Sequence, residues 1–506
     1  GYLPDSITFN ANGTKLLIAN EGEPISGYAT DRSKDPAGSI GIIDIQGLLK
    51  KSFSYTELGF GNVSLPTGLR LSGPAGTTKL TDIEPEYTSV LGDYGYVTLQ
   101  ENNAVVKVNL VTNSIDSIFA LGSVDYQSQL IDLTDKDGAE GASAFAPKLG
   151  QAFEGLRMPD AIAAYRVNGK DYFVTANEGD GRDGSPWSPY TDESRGTGSG
   201  QDLSAYRVKR LVDDAKVGSA DRTTTFGGRS ISLFDASTGS LLWDSGNTLQ
   251  TIAVAAGQYD DTRSDDKGVE PEGVVVAQVN GRSYAFVGME RTKSSMLAVF
   301  DITDPTAGKF ITSVDIAGSI SPEGLHVVAA NQSPTGRAQL IISNELSNSF
   351  NVFDVEALIA AAPTAGAGTF KSTMLKDVDA GPKLSISSLL TIGEFTNGLT
   401  PGSSAFTSPG ILDGIGAFDN GDGTYTVLVN SELSATVGYS YQVGYAASES
   451  AAKTSVNIPG ARISQFIVDT DSDDDASNGF QSRVLRGGLA YDTVIGADNN
   501  GFDRFC

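Results

Sequence analysis

The chain has 506 residues, 39% of them hydrophobic, and its 62 acidic against 36 basic residues give a formal net charge of −26. Such a surface repels nucleic acid, and no uncharged apolar run is long enough to cross a membrane. The single cysteine, Cys506, excludes an intrachain disulfide, and 59 glycines with Tyr and Phe as the main aromatics suit strands joined by tight turns.

One pattern recurs five times along the chain. Pro4-Asp5 opens an apolar stretch, KLLIANEG from Lys15 carries Glu21, and IGIIDI from Ile40 carries Asp44. The second repeat opens at Pro85-Glu86, continues with GYVTLQEN from Gly95, which carries Glu101, and ends at Asn109. The third opens at Pro159-Asp160, continues with DYFVTANEG from Asp171, which carries Glu178, and ends at Asp235. The fourth has Pro271-Glu272, SYAFVGMER from Ser283 with Glu290, and LAVFDI from Leu297 with Asp301. The fifth has Pro322-Glu323, QLIISNELS from Gln339 with Glu345, and a last stretch ending at Asp354. Each closing Glu lies 15 to 22 residues after its opening acid.

Alternating β-branched and aromatic residues in these stretches predict strands, and turn clusters such as NANG from Asn10 and VNG from Val167 separate them. A repeated strand–strand–strand grammar predicts an all-β chain, a β-propeller over 1–356 with five visible blades. The repeats exceed a minimal blade, and the excess sits in polar, Gly-rich insertions at 127–155 and 181–228. Residues 357–405 read as a linker. Residues 406–506 read as the start of a second β module, opening at Asp413, closing at Glu432 and ending its third stretch at Asp469. Both chain ends look like cuts through a longer protein, and the intact parent is expected to have seven blades, the first of them lying before Gly1.

In an antiparallel meander the start of the first strand and the end of the second share one end of the sheet. The opening acids and closing glutamates of successive blades are therefore expected to converge, as many as ten carboxylates at one channel mouth. Unpaired, they would raise one another's pKa values, so bound cations or Lys and Arg partners are expected there. Any one of them, taken alone, is better explained by backbone amides at a strand end than by a ligand role. The acids ending the third stretches belong to the opposite end and read as turn-forming Asx residues. His326, the only histidine, follows Glu323 in SPEGLH. Carboxylates with one imidazole suit Mn²⁺ or Ca²⁺ ahead of Zn²⁺. Two cations at such a mouth would suit hydrolysis of phosphate esters, with Arg291 and Arg182 as anion-binding candidates unless they are salt-bridged to the surplus acids. DNGDGT from Asp419 reads as a hairpin turn rather than a calcium loop, DTDSDDD from Asp469 as a solvated acidic run, and GTGSGQ from Gly196 as an incidental likeness to a nucleotide loop.

LPDSITFNANGTKLLIANEGEP from Leu3, MPDAIAAYRVNGKDYFVTANEGDGRD from Met158, VEPEGV from Val269 and SPEGLH from Ser321 resemble, in order, the choice-of-anchor I proteins, also described as mesenchyme-specific cell-surface glycoprotein-like or alkaline-phosphatase-like secreted propellers. GILDGIGAFDNGDGTYTVLVNSEL from Gly410 is similar to phytase-like and PhoX-like modules, except that Ser431 stands where their closing segment reads His. The resemblance implies an extracellular, cell-surface or periplasmic phosphoesterase using divalent metal ions, Ca or Mn ahead of Zn. It carries metal-ligand roles to Glu21, Asp160, Glu178, Asp180, Glu272, Glu290, Glu323, His326 and Glu345, with His326 and Arg291 expected at the chemistry. The competing expectation is a non-catalytic, calcium-stabilised structural or adhesion protein whose partners are cell-surface components or further copies of itself. A carbohydrate- or peptide-binding propeller is a third.

Overall fold

The computed structural model describes residues 3–25, 28, 31, 34–46, 52–136, 145–147, 149, 153–183, 187–195, 216–218, 224–360, 387–391, 395–398, 406–407, 412–431, 441–446, 454–458, 462–469, 483–490 and 493–495. Glu432, the acidic run 470–475, GTGSGQ and both chain ends lie outside these residues, as does the side chain of Asp413. Two compact units divide at Asp315 and Ile316.

The first unit holds four four-stranded antiparallel meanders in chain order. They are Pro4–Phe9, Lys15–Asn20, Ser39–Gln46 and Ser52–Gly59; then Thr88–Leu91, Tyr94–Leu99, Ala104–Asn109 and Ser114–Ala120; then Ile162–Val167, Lys170–Ala176, Ile231–Asp235 and Leu241–Asp244; then Pro271–Val279, Arg282–Met289, Ser295–Asp301 and Lys309–Ile316. The three-stretch grammar thus omits a fourth strand from every sheet. These outer strands are half polar and lack the nearly continuous apolar runs of the second and third strands, as SFSYTELG and KFITSVDI show. Two-residue turns with positive φ at Asn168-Gly169 and Asn280-Gly281 join first to second strands, as the VNG signal predicts.

Successive sheets stack face to face. Leu17, Ala19, Ile40 and Ile42 of the first sheet meet Val97, Leu99, Val106 and Val108 of the second. Tyr96 and Val105 meet Ile162, Phe173 and Phe234 of the third, and Val174, Ala176 and Leu233 meet Ala285, Val287, Met296 and Ala298 of the fourth. Sheets covered on both faces explain the nearly continuous apolar runs of the second and third strands. On its other face the first sheet leaves Ile7, Phe9, Phe53 and Tyr55 exposed.

Parts of both insertions, read from sequence as loops, build a small fifth sheet in this unit. Ser123–Asp125 pairs with Glu154–Leu156, which pairs with Thr224–Thr225, and Lys216–Gly218 links that strand to Glu193–Arg195.

In the second unit, Pro322–Val328, Gln339–Asn344, Ser349–Asp354 and Ser387–Thr391 form one more such meander. Its last strand falls inside 357–405, the span read as linker; Phe395–Gly398 also lies there and pairs with Arg483–Leu489. Their short mixed sequences, SSLLT and FTNG, carry no periodic signal of their own. Leu412–Asp419, Thr424–Ser431 and Arg462–Asp469 are the three strands expected of the C-terminal copy, paired in that order. No helix among the described residues is long and apolar enough to cross a membrane.

Candidate metal centre

The hairpin registers place each opening acid beside its closing glutamate. Pro4 lies opposite Asn20, Pro271 opposite Met289 and Pro322 opposite Asn344, and each register breaks immediately after the proline. Such bulges re-aim a side chain, and here they fall on Asp5, Glu272 and Glu323. The residue before the proline is left-handed in four repeats: Leu3 (φ 52°), Met158 (41°), Glu270 (45°) and Ser321 (58°). For these side chains that conformation is costly, and strain of this kind collects at functional sites. It turns the carbonyls of Leu3, Glu270 and Ser321 onto the amides of Glu21, Glu290 and Glu345, at 2.9, 2.9 and 2.7 Å. Met158 bonds instead to Gly179, one residue past Glu178, at 3.0 Å.

Within the first unit, successive repeats bring these acids into contact. Asp5, Glu21 and Glu86 offer oxygens within 4.8 Å of one another, and so do Asp160, Glu178 and Glu272, and Glu178, Glu270 and Glu290. Burial is the main force raising the carboxyl of Glu21, with Glu23, Asp5, Glu84 and Glu101 adding to it. Burial likewise holds Glu86 well above the ordinary value, and Glu21, Asp5, Glu101 and Asp160 push it further. Glu101 is pushed up to about 7 and Glu290 to about 8, burial again being the largest cause. Glu86 feels Asp160 and Glu178 is shared by two triads, so the carboxylates form one electrostatically continuous arc.

Cations are distributed unevenly along that arc. Lys267 Nζ lies 3.1 Å from Glu178, 3.0 Å from Asp180 and 3.5 Å from Glu270. Arg263 pairs with Glu270 at 2.5 Å, and Arg291 with Glu290 at 2.9 Å. Arg182 is fully buried; it donates to Glu84 at 2.6 and 3.1 Å and to the Asp82 carbonyl at 2.7 Å, and lies over the Trp187 ring. It therefore serves as an internal counter-ion and is closed to a substrate anion. Among the described residues, no Lys or Arg ion pair reaches Glu21 or Glu86. Glu84 Oε1 and Glu101 Oε2 are buried without a hydrogen-bond partner.

Glu323 and Glu345 stand together at one end of their hairpin in the second unit. His326 lies further along the same strand, opposite Ile341, and joins none of the acid groups among the described residues. Desolvation lowers its pKa, opposed by a backbone hydrogen bond at Ala417. Four of the five residues ending third stretches cap turns as expected: Asn109 accepts from Val111 and Thr112, Asp235 from Ser237 and Thr238, Asp301 from Thr303, and Asp354 from Ala357; Asp44 instead pairs with Lys15 and accepts from Asn113. Sequence reasoning missed Glu270, Glu84 and Lys267, which stand outside the repeat. Asp5 and Glu86 carried the signal, the acid after proline.

Glycine is required where Glu178 turns away. At Gly179 (φ +89°) an added Cβ would lie 2.0 Å from the Gly227 amide nitrogen. Gly179→Ala is expected to cost about 2 kcal/mol or more, from left-handed strain plus displaced backbone. Urea unfolding of the variant measures it, and a midpoint equal to the parent's would contradict the close approach.

A family model described as the choice-of-anchor I domain matches residues 1–305, which contain all three triads. No curated protein matches the chain. Solved structures similar to it include the Kuenenia stuttgartiensis hydrazine synthase (11% identity, 84% of this chain and 76% of that one, TM-score 0.37). Others are the nidogen/laminin complex (10%, 70% and 76%, 0.32) and the dihydro-heme d1 dehydrogenase NirN (10%, 91% and 67%, 0.31). Likenesses at these TM-scores carry no argument about this chain.

Proposed function

The chain belongs to the choice-of-anchor I family of cell-surface anchored proteins, and on that footing we propose an extracellular phosphoesterase that works with a divalent cation held by Asp5, Glu21 and Glu86. The observation that carries this reading is the meeting of three carboxylates from two successive repeats, within 4.8 Å of one another, with no Lys or Arg pair reaching Glu21 or Glu86 among the described residues. An all-oxygen donor set at this spacing fits Ca²⁺ or Mn²⁺, whose bonds to oxygen are about 2.2–2.5 Å, better than Zn²⁺.

When bound, such a cation lowers the pKa of a water and polarises a phosphoryl oxygen. The chain's own residues would do the rest. Asp5, Glu21 and Glu86 hold the charge in place. Glu101, pushed up to about 7 and with Oε2 free of hydrogen bonds, can accept a proton near neutral pH. Arg291, expected from sequence at the chemistry, pairs with Glu290 at 2.9 Å in the Glu178–Glu270–Glu290 triad and takes no part in this reading. Neither does His326.

Turnover of an aryl phosphate by chelator-treated protein, with Mn²⁺ or Ca²⁺ restored, tests it. Glu21→Gln and Glu86→Gln are each expected to lower turnover at least about 100-fold, as loss of a metal ligand does. Absence of turnover with every divalent cation would overturn the catalytic reading. One observation favours a second reading, a calcium-stabilised structural or adhesion protein of the cell surface: Lys267, Arg263, Arg291 and Arg182 all neutralise carboxylates internally. That reading expects a higher melting temperature with Ca²⁺ and no hydrolysis.

A further inference from the structure

The two ends of the carboxylate arc are balanced differently. At one end stand Asp5, Glu21 and Glu86, with no Lys or Arg pair reaching Glu21 or Glu86 among the described residues. At the other, Lys267 sends its ammonium between acids, 3.1 Å from Glu178 Oε1, 3.0 Å from Asp180 Oδ1 and 3.5 Å from Glu270 Oε2. The remaining charge there is met by Arg263 on Glu270 and Arg291 on Glu290. Lys267 is itself buried, so this is a built arrangement and not a surface pair. The ammonium is hydrogen-bonded to Glu178 and Asp180 and ion-paired with Glu270, so it puts a positive charge against two members of the Glu178–Glu270–Glu290 triad, where a hard divalent cation would compete with it.

We infer that Lys267 substitutes for a divalent cation in the Glu178–Glu270–Glu290 triad, so that, of the three triads of the first unit, the native chain loads metal at Asp5–Glu21–Glu86. The middle triad is closed by the same residue. Glu178 is its shared member, and both of that residue's oxygens are engaged, Oε1 by Lys267 and Oε2 by Gln100 Nε2 at 2.7 Å. The sequence pattern suggests a two-cation mouth; the placement of Lys267 makes the centre mononuclear. Charge on a bound phosphoester would then be balanced by one metal ion, not by a metal pair. This deepens the reading above and rests on it only for the first triad.

The test is metal stoichiometry of the full chain by elemental analysis after equilibration with Mn²⁺, alongside calorimetric titration. The native protein is expected to hold about one equivalent, Lys267→Met about two, and Lys267→Arg about one. A folded Lys267→Met that gains no metal over the native chain overturns the inference. If that variant does not fold, the native protein decides: anomalous scattering from Mn²⁺-soaked crystals is expected at the first triad, and a peak between Glu178, Glu270 and Glu290 overturns the inference. A native chain without metal whose Lys267→Met variant gains one equivalent would sink the proposed function and leave the substitution by Lys267 standing.

Discussion

Arg182→Met is expected to destabilise the first unit by about 3–5 kcal/mol, the range for removing one partner of a buried ion pair. The guanidinium is fully buried, and so are the groups it serves. Glu84 is 1% exposed, and its Oε1 already lacks a hydrogen-bond partner. Without Arg182 that carboxylate would stand desolvated beside Glu101, with only protonation to relieve it. The same side chain ties two distant stretches together. It bonds to Ser72, the Asp82 carbonyl and Glu84 in the stretch that leads into the second repeat, while the Arg182 amide donates to Asp192 Oδ1 at 2.8 Å within the insertion of the third. Arg70 holds Asp192 from the other side at 2.6 Å. A double variant, Arg182→Met with Glu84→Gln, is expected to recover much of the loss, since it removes the stranded charge together with its partner. Urea unfolding measures both; a single variant within about 0.5 kcal/mol of the parent would show that the pair is not the anchor it looks to be.

The part of this centre that could be read from sequence is the part built by local rules. Proline followed by an acid marks a strand start, period-2 alternation marks the hairpin, and antiparallel pairing then forces opener and closer together. Asp5 with Glu21 and Glu272 with Glu290 follow from that reasoning alone. Lys267 and Arg182 do not, because they come from loops whose paths are set by tertiary packing. Nothing in SDDKGVEPEG says that the lysine turns inward, and nothing in NEGDGRD names Glu84, 98 residues away, as the partner of Arg182. Glu270 was hidden for a different reason: it precedes its proline, outside the repeated pattern, and reaches the triad in an unfavourable left-handed conformation. His326 was weighted by rarity, yet its imidazole bonds to the backbone at Ala417 in the second unit.

Cation-free protein is expected to lose stability as pH rises from about 6.5 to 8.5, and saturating Ca²⁺ or Mn²⁺ is expected to abolish most of that loss. The sign follows from the raised carboxyls. Glu21 and Glu86 stand well above the ordinary 4.5, Glu101 is near 7 and Glu290 near 8. In this window the unfolded chain has released those protons and the folded chain still holds them, so the unfolding free energy falls with pH. The stabilisation is complete below 4.5 and disappears as pH passes each folded value. The shift of Glu101 alone corresponds to about 3 kcal/mol, and coupling among neighbours spreads the loss across the window. Asp44 and Asp235, whose values are lowered, act only at more acid pH. His326, lowered from 6.5 and located in the second unit, favours the fold as pH rises to that value and is spent above it. A bound cation would replace the retained protons, so its affinity should climb with pH, adding about 2.7 kcal/mol at a hundredfold excess over Kd. Thermal melts at pH 6.5, 7.5 and 8.5, with chelator and with cation, measure both effects. A chelated protein whose melting temperature stays level or rises over that interval would mean that the arc of acids is already neutralised by the chain itself, leaving no vacancy for a metal at Asp5, Glu21 and Glu86.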